Sequence, residues 1–120
     1  MNGEIKIGIA DEHDTAQEFI DIWRRIEQGE APDTSVEHLY FPDLETLLQH
    51  LTPRRMALLK TLHTIGPVSV RALSKELGRD YKNVHTDIQL LERIGLVTRK
   101  KDRRVLVPWK RIIAEFRLAA

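Results

Sequence analysis

Lys82, Asn83, His85, Thr86 and Gln89 are hydrogen-bonding side chains gathered in one short segment, DYKNVHTDIQLLERIG. Their types suit the base edges of a DNA major groove. Asn and Gln pair bidentately with adenine, Lys donates to guanine, and Thr meets a base edge or a thymine methyl. Among them fall Tyr81, Val84, Ile88 and Leu91, spaced as one apolar stripe of a helix over Tyr81–Ile94. The polar residues therefore occupy its other faces, with Lys82, Asn83 and Thr86 nearest the end that usually reaches bases. Almost every surface helix has a polar outer face, so this one gains meaning from the cations around it. Arg79 and Tyr81 precede the segment, and Arg99, Lys100, Lys101, Arg103 and Arg104 surround a turn at Lys101-Asp102. Such a cluster of like charges repels itself and is not chosen by stability alone. We expect these cations, with Arg79 and Tyr81, to meet phosphates in a salt-sensitive way. Tyr81 equally suits a half-buried core position.

The elements that must position these groups read as a helix-turn-helix with a wing over Gly66–Val107. Thr52 is a good N-cap and Pro53 a good first residue for a supporting helix to about His63, with Met56, Leu59 and Leu62 inward. Gly66-Pro67 ends it. Ser69 caps a helix to about Leu77 with Val70, Leu73 and Leu77 inward, Gly78 supplies its exit, and Asp80 caps the helix that follows. Gly95 closes that helix, and LVTRK and RRVLV are two strands of strong β character.

The remainder flanks this unit. EIKIGI (residues 4–9) alternates like a strand, and VEHLYF (36–41) reads as a second. Between them Phe19, Ile22, Trp23 and Ile26 mark an amphipathic helix to about Gln28, followed by a linker, EAPDTS, at 30–35. Leu44, Leu47, Leu48 and Leu51 give the helix over 43–51 a packing stripe. Trp109, Ile112, Ile113 and Phe116 fall at helical spacing in a last helix, Trp109 to Leu118. The expected fold is α+β, mostly α. A winged helix-turn-helix over 52–107 carries a strand-helix-strand extension over 1–51 and a C-terminal helix over 108–120.

Charge divides the chain. Residues 1–52 carry three basic and twelve acidic residues, a balance of −9; residues 53–120 carry sixteen basic and six acidic, a balance of +10; together they give the net +1. The basic half is the electrostatic footprint of a nucleic-acid binder. The acidic half has three open readings. It dimerises the chain through its strands and the Phe19, Trp23 and Ile26 stripe, it binds a basic protein partner, or it is a solvated cap. Trp109 and Phe116 offer another dimer surface, or plain core.

Other function classes find little footing. There is no cysteine, hence no disulfide framework or cysteine zinc site. His13 lies among Asp11, Glu12 and Asp14, but neighbours on a helix do not share a face, and no second His follows at metal-ligand spacing. These acids suit the positive end of a helix instead. His38, His50, His63 and His85 show no ligand spacing either. No glycine-rich phosphate loop and no nucleophile context around Ser35, Ser69 or Ser74 supports catalysis. We expect no enzyme activity, no metal and no cofactor. Without a membrane-length apolar run or a secretory signal, a cytoplasmic location is expected.

The segments LTPRRMALLKTL and GPVSVRALSKELGRDYKNVHTDIQLLERIGLV resemble small winged-helix transcriptional regulators of prokaryotes, in the MarR-like and ArsR-like class, over about residues 52–107. With LTPRR, GRDYKNVHTDI and HLYFPDLETLLQHLT the chain also resembles a set of short regulators, some of them encoded beside toxin-like proteins. The first resemblance implies double-stranded DNA as partner; the second implies an antitoxin role. The long helices of MarR-like ligand sites are lacking here. The expectation is a cytoplasmic regulator that represses as a homodimer on a palindromic operator. The alternatives are an antitoxin that neutralises a basic toxin through the acidic half, and a winged-helix protein-interaction module that does not touch DNA.

Overall fold

The structure, a computed structural model, describes residues 3–10, 23–24, 27–28 and 36–118. The chain is α+β and forms two compact units, Met1–Leu47 with Arg111–Ala120, and Leu48–Lys110.

In the first unit three strands form a parallel sheet in the order β2-β1-β5, with β1 (Glu4–Ile9) between β2 (Val36–Phe41) and β5 (Arg111–Glu115). Ile5 pairs in register with Glu37 and Ile112, and Ile7 with Leu39 and Ala114. Because side chains alternate along a strand, Ile5 and Ile7 share one face and both are buried. The opposite face carries Lys6, Gly8, His38, Tyr40 and Glu115. There Lys6 Nζ lies 3.1 Å from Glu115 Oε2, and hydrogen bonding and charge from Lys6 hold the Glu115 carboxyl below its ordinary range. Glu4 and Arg111, opposite each other in register, pair at 3.1 Å.

The last strand corrects an expectation. The apolar spacing after Pro108 predicts a helix from Trp109 to Leu118; residues Arg111–Glu115 are a strand. Trp109, Ile112, Ile113 and Phe116 fit a helical stripe, but β-branched Ile112 and Ile113 also suit a strand. The free edge of β1 decides between them, because pairing there satisfies both backbones. Residues 108–120 are thus no separate terminal helix: Arg111 onward belongs with the N-terminal strands.

The helix α1 (Leu44–His50) follows β2, and Asp43 accepts from the Thr46 N–H at 2.7 Å in its first turn. Of the leucines expected to form its packing stripe only Leu47 is buried, while Leu44 and Leu48 stand about half exposed. The helix expected between β1 and β2 lies mostly outside the described residues, as do Phe19, Ile22, Ile26, the acids at 11–14 and the linker at 30–35. Trp23 and Arg24 are helical, Trp23 is exposed, and its indole N–H donates to Glu27 Oε1 at 2.9 Å.

The second unit holds α2 (Pro53–Ile65), α3 (Val70–Leu77), α4 (Tyr81–Ile94) and a two-stranded antiparallel ribbon, β3 (Thr98–Arg99) with β4 (Val105–Leu106). The caps are those the sequence indicates. Thr52, Ser69 and Asp80 accept from the backbone N–H groups of Arg55, Ala72 and Asn83, satisfying donors that each helix start leaves orphaned. Gly78, at φ 64°, ends α3 in the left-handed region where a side chain is strained. Gly66, after α2, is needed for space: a Cβ there would stand 2.7 Å from the Leu62 carbonyl oxygen. Leu58, Leu62, Leu73, Val84, Ile88, Leu91, Leu96 and Val105 are wholly buried. Met56, expected inward on α2, is only half-buried, and Leu58 takes the core position beside Leu59. Val105 also exchanges backbone hydrogen bonds with Val68, which ties the ribbon to the start of α3.

Candidate nucleic-acid interface

Helix α4 separates its two chemistries by burial. Val84, Asp87, Ile88 and Leu91 face inward, whereas Lys82, Asn83, Thr86 and Gln89 are exposed. With 3.6 residues per turn, Lys82, Thr86 and Gln89 follow one another along a single stripe with Asn83 beside it. The Thr86 hydroxyl donates back to the Lys82 carbonyl at 3.0 Å and keeps its acceptor capacity. His85 is half-buried, its ring 5.7 Å from that of Tyr81.

Tyr81 sits under a cation. The Arg71 guanidinium lies 4.8 Å from its ring centre, an attraction between charge and aromatic face. This exposed Arg71, from α3, adds a positive charge beside the start of α4 that sequence reading passed over. Its signal was faint: an arginine in the second position of a helix whose stripe already explained Val70, Leu73 and Leu77.

Arg79 requires a correction. Its charge and its place before the helix predict a phosphate contact, but its side chain is turned inward and only 17% exposed, with Nη2 2.7 Å from Asp87 Oδ2. Its Nε and Nη1 are buried with no hydrogen-bond partner. A guanidinium so placed does not present its donors to a phosphate. Asp87 in turn receives Arg55 Nε at 3.0 Å on its other oxygen. Arg55 Nη1 also donates to the carbonyls of Gln49 and His50, each at 3.0 Å. Neither Asp87 nor Arg55 was singled out in the sequence. Asp87 falls among core-facing residues three and four positions apart, and that inward acid was the available clue.

The ribbon tip divides its cations. The Lys100 carbonyl accepts from Arg103 N–H at 2.9 Å, and Lys100 N–H donates to the Arg104 carbonyl at 2.8 Å, closing a turn in which Arg103 adopts φ 74°. Arg99 bends back to Glu92 on α4, with Nη2 3.2 Å from Oε1, and its Nη1 donates to the Arg103 carbonyl. Arg104 Nε donates to Asp102 at 2.8 Å, and Arg104 N–H donates to the same carboxylate at 3.0 Å. These bonds hold the Asp102 carboxyl below the ordinary carboxylate range. Lys100, Lys101 and Arg103 have exposed side chains. Of the five tip cations four are thus exposed, Arg104 among them although it pairs with Asp102, while Arg99 is part-buried against Glu92.

The other proposed contact residues are dispersed. Trp109 is half-buried, and its indole N–H donates to the Gly95 carbonyl at 3.2 Å, packing against the C-terminal end of α4 within its own unit. Phe116 is about half exposed and lines, with Lys6, His38, Tyr40, Leu44 and Glu115, an open groove of about 350 Å³ on the sheet. Among the described residues no cluster of three or more His, Cys, Asp or Glu is placed to hold a metal, and no helix is long and apolar enough to cross a membrane.

One family model, described as HVO_A0114, matches residues 50–114. No curated protein matches the chain, and no solved structure matches it.

Proposed function

The chain belongs to the HVO_A0114 family, and on that scaffold we propose that it is a sequence-specific DNA-binding regulator of the winged helix-turn-helix type. The observation that carries this reading is the exposed stripe of Lys82, Asn83, Thr86 and Gln89 on α4, standing outward from a fully packed inner face. An α-helix fits the major groove, and these side chains hold the donors and acceptors that discriminate base pairs there. His85, half-buried beside Tyr81, contributes at the edge of the stripe.

Three further observations agree. The order of three capped helices and an antiparallel ribbon tied to Val68 suits a helix-turn-helix with a wing. The tip of that wing presents Lys100, Lys101 and Arg103, which serve phosphates on the flanking backbone, and Arg71 adds a cation at the start of the reading helix. The unit Leu48–Lys110 holds fourteen basic and five acidic residues, a balance of +9. Base-reading residues specify, and these cations supply affinity that falls with salt. In this reading the chain acts as a homodimer that occupies a palindromic site and represses transcription.

The complementary unit, Met1–Leu47 with Arg111–Ala120, holds five basic and thirteen acidic residues, a balance of −8. That charge favours a second reading, in which the acidic unit also receives a basic protein, as an antitoxin receives its toxin.

The test is selection of duplexes from a random-sequence library by the full-length chain. Enrichment of a defined sequence supports the proposal, and binding with no enriched sequence, or no binding at low salt, contradicts it.

A further inference from the structure

Asp87 stands on the inner side of the helix whose outer side carries the proposed reading residues, and each of its carboxylate oxygens is taken by an arginine from a different place in the chain. Oδ1 accepts from Arg55 of the first turn of α2, and Oδ2 from Arg79 of the turn that leads into α4. Arg55 is itself fixed by the carbonyls of Gln49 and His50. From this we infer that Asp87 is a positioning residue: held by Arg55 and Arg79, it sets the rotation of α4 about its own axis and thereby the sequence discrimination of the reading face. The inference rests on the DNA-reading proposal above.

Val84, Ile88 and Leu91 bury the same side of α4, but apolar burial is non-directional and resists a small rotation weakly. Hydrogen bonds lose strength steeply when bent. Outer side-chain atoms lie about 5 Å from the helix axis, so a turn of about 20° moves them by about 2 Å. A recognition group must be held to roughly 0.5 Å, so such a turn would remove base contacts. Thr86 immediately precedes Asp87 in the chain, and Lys82 and Gln89 share its outer stripe, so the constraint acts on the residues that need it.

The charge count supports the same conclusion. Two guanidinium groups, each under a fifth exposed, share one carboxylate, and Arg79 leaves two buried nitrogens unpaired. Apolar residues of similar volume commonly give equal or greater stability than a buried ion pair. A network that leaves donors unsatisfied is a poor way to gain stability alone and a good way to fix a geometry.

The test compares two affinities of the full-length chain: for the duplex it enriches from a random library, and for a scrambled duplex of the same composition. A merely structural role lowers the folded fraction and weakens both alike, so their ratio does not move. In Asp87→Asn and Arg79→Lys we expect the ratio to fall about tenfold or more, comparable to loss of one good base contact, with little change in scrambled-duplex affinity or its salt slope. Asp87→Glu should recover part of the ratio. If Asp87→Asn does not fold, Arg79→Lys, which keeps the carboxylate and a charged donor, decides the matter. An unchanged ratio in the folded variants, with wild-type enrichment intact, overturns this inference alone. Failure of the wild type to enrich any sequence overturns the DNA-reading proposal and this inference together.

Discussion

Arg79 donates to Asp87 across 2.7 Å from the turn before α4, in a site where both side chains are more than four-fifths buried. The pair has an asymmetric energetic consequence. Asp87→Asn removes the negative charge that two part-buried guanidinium groups share and should cost about 3 kcal/mol, the range for breaking a buried pair from one side. Arg79→Met removes one guanidinium and its two unpaired nitrogens while Arg55 still answers Asp87, and it should cost no more than about 1 kcal/mol. Urea denaturation of both variants checks this, and equal losses would contradict it.

The ribbon tip should carry a pH signature. Hydrogen bonds from Arg104 depress the Asp102 carboxyl in the folded chain. A depressed carboxylate contributes stability above its unfolded value, about 3.9, and loses it as pH falls through the lower folded value. The Asp102 carboxyl carbon should therefore titrate below the ordinary carboxylate range in an NMR pH series. Asp102→Asn should remove this step and free Arg104, strengthening binding to any duplex. A midpoint at or above the ordinary carboxylate value contradicts the tip geometry.

The ribbon-tip cations should separate by role. Neutralising Lys100, Lys101 and Arg103 together should flatten the salt dependence of binding by about two to three phosphate contacts, without changing sequence preference. Arg99→Gln should instead loosen the ribbon, because it unpairs Glu92 and releases the Arg103 carbonyl. An unchanged salt slope in the triple variant would remove the ribbon tip from the proposed phosphate contact.

The first unit depends on its last strand. Ile113→Pro places a residue without an N–H in β5, beside Lys6 of the central strand. Hydrogen exchange of the β1 amides should then quicken sharply, while α3 and α4 amides keep their protection. Equal protection of β1 in both proteins would contradict the pairing of β1 with β5.

What the sequence revealed and what it hid follow from the range of the interactions. The helices of Leu48–Lys110 were legible because Thr52, Ser69, Gly78, Asp80 and Gly95 mark their ends locally, and because apolar spacing marks their inner faces. The fate of residues 111–115 was not legible, since Ile112 and Ile113 fit two periods and the choice lay with a strand more than a hundred residues away. Leu44 and Leu48 followed a stripe that needed a partner surface, and sequence shows the stripe without the partner. Arg79 looked like a phosphate anchor because its charge was visible and its acceptor, eight residues on, was not identifiable as buried. The exposed face of α4 was legible for the opposite reason: once the inner stripe is known, Lys82, Asn83, Thr86 and Gln89 have nowhere else to point.

The proposed homodimer gives a mass of twice 13.9 kDa by light scattering, and its selected site should contain two inverted halves about 34 Å or a multiple apart. A monomer on an asymmetric site would contradict the two-fold arrangement while leaving α4 as the reader.

The reading face itself is tested most directly by comparing the sequences enriched from a random duplex library by the wild type and by the double variant Asn83→Ala, Thr86→Ala. Both side chains are exposed, so the variant should fold with the wild-type denaturation midpoint. The wild type should enrich one defined sequence, and the variant should bind duplex DNA with a similar salt slope but enrich none. Enrichment of the same sequence by both proteins would contradict the assignment of α4 as the element that reads DNA.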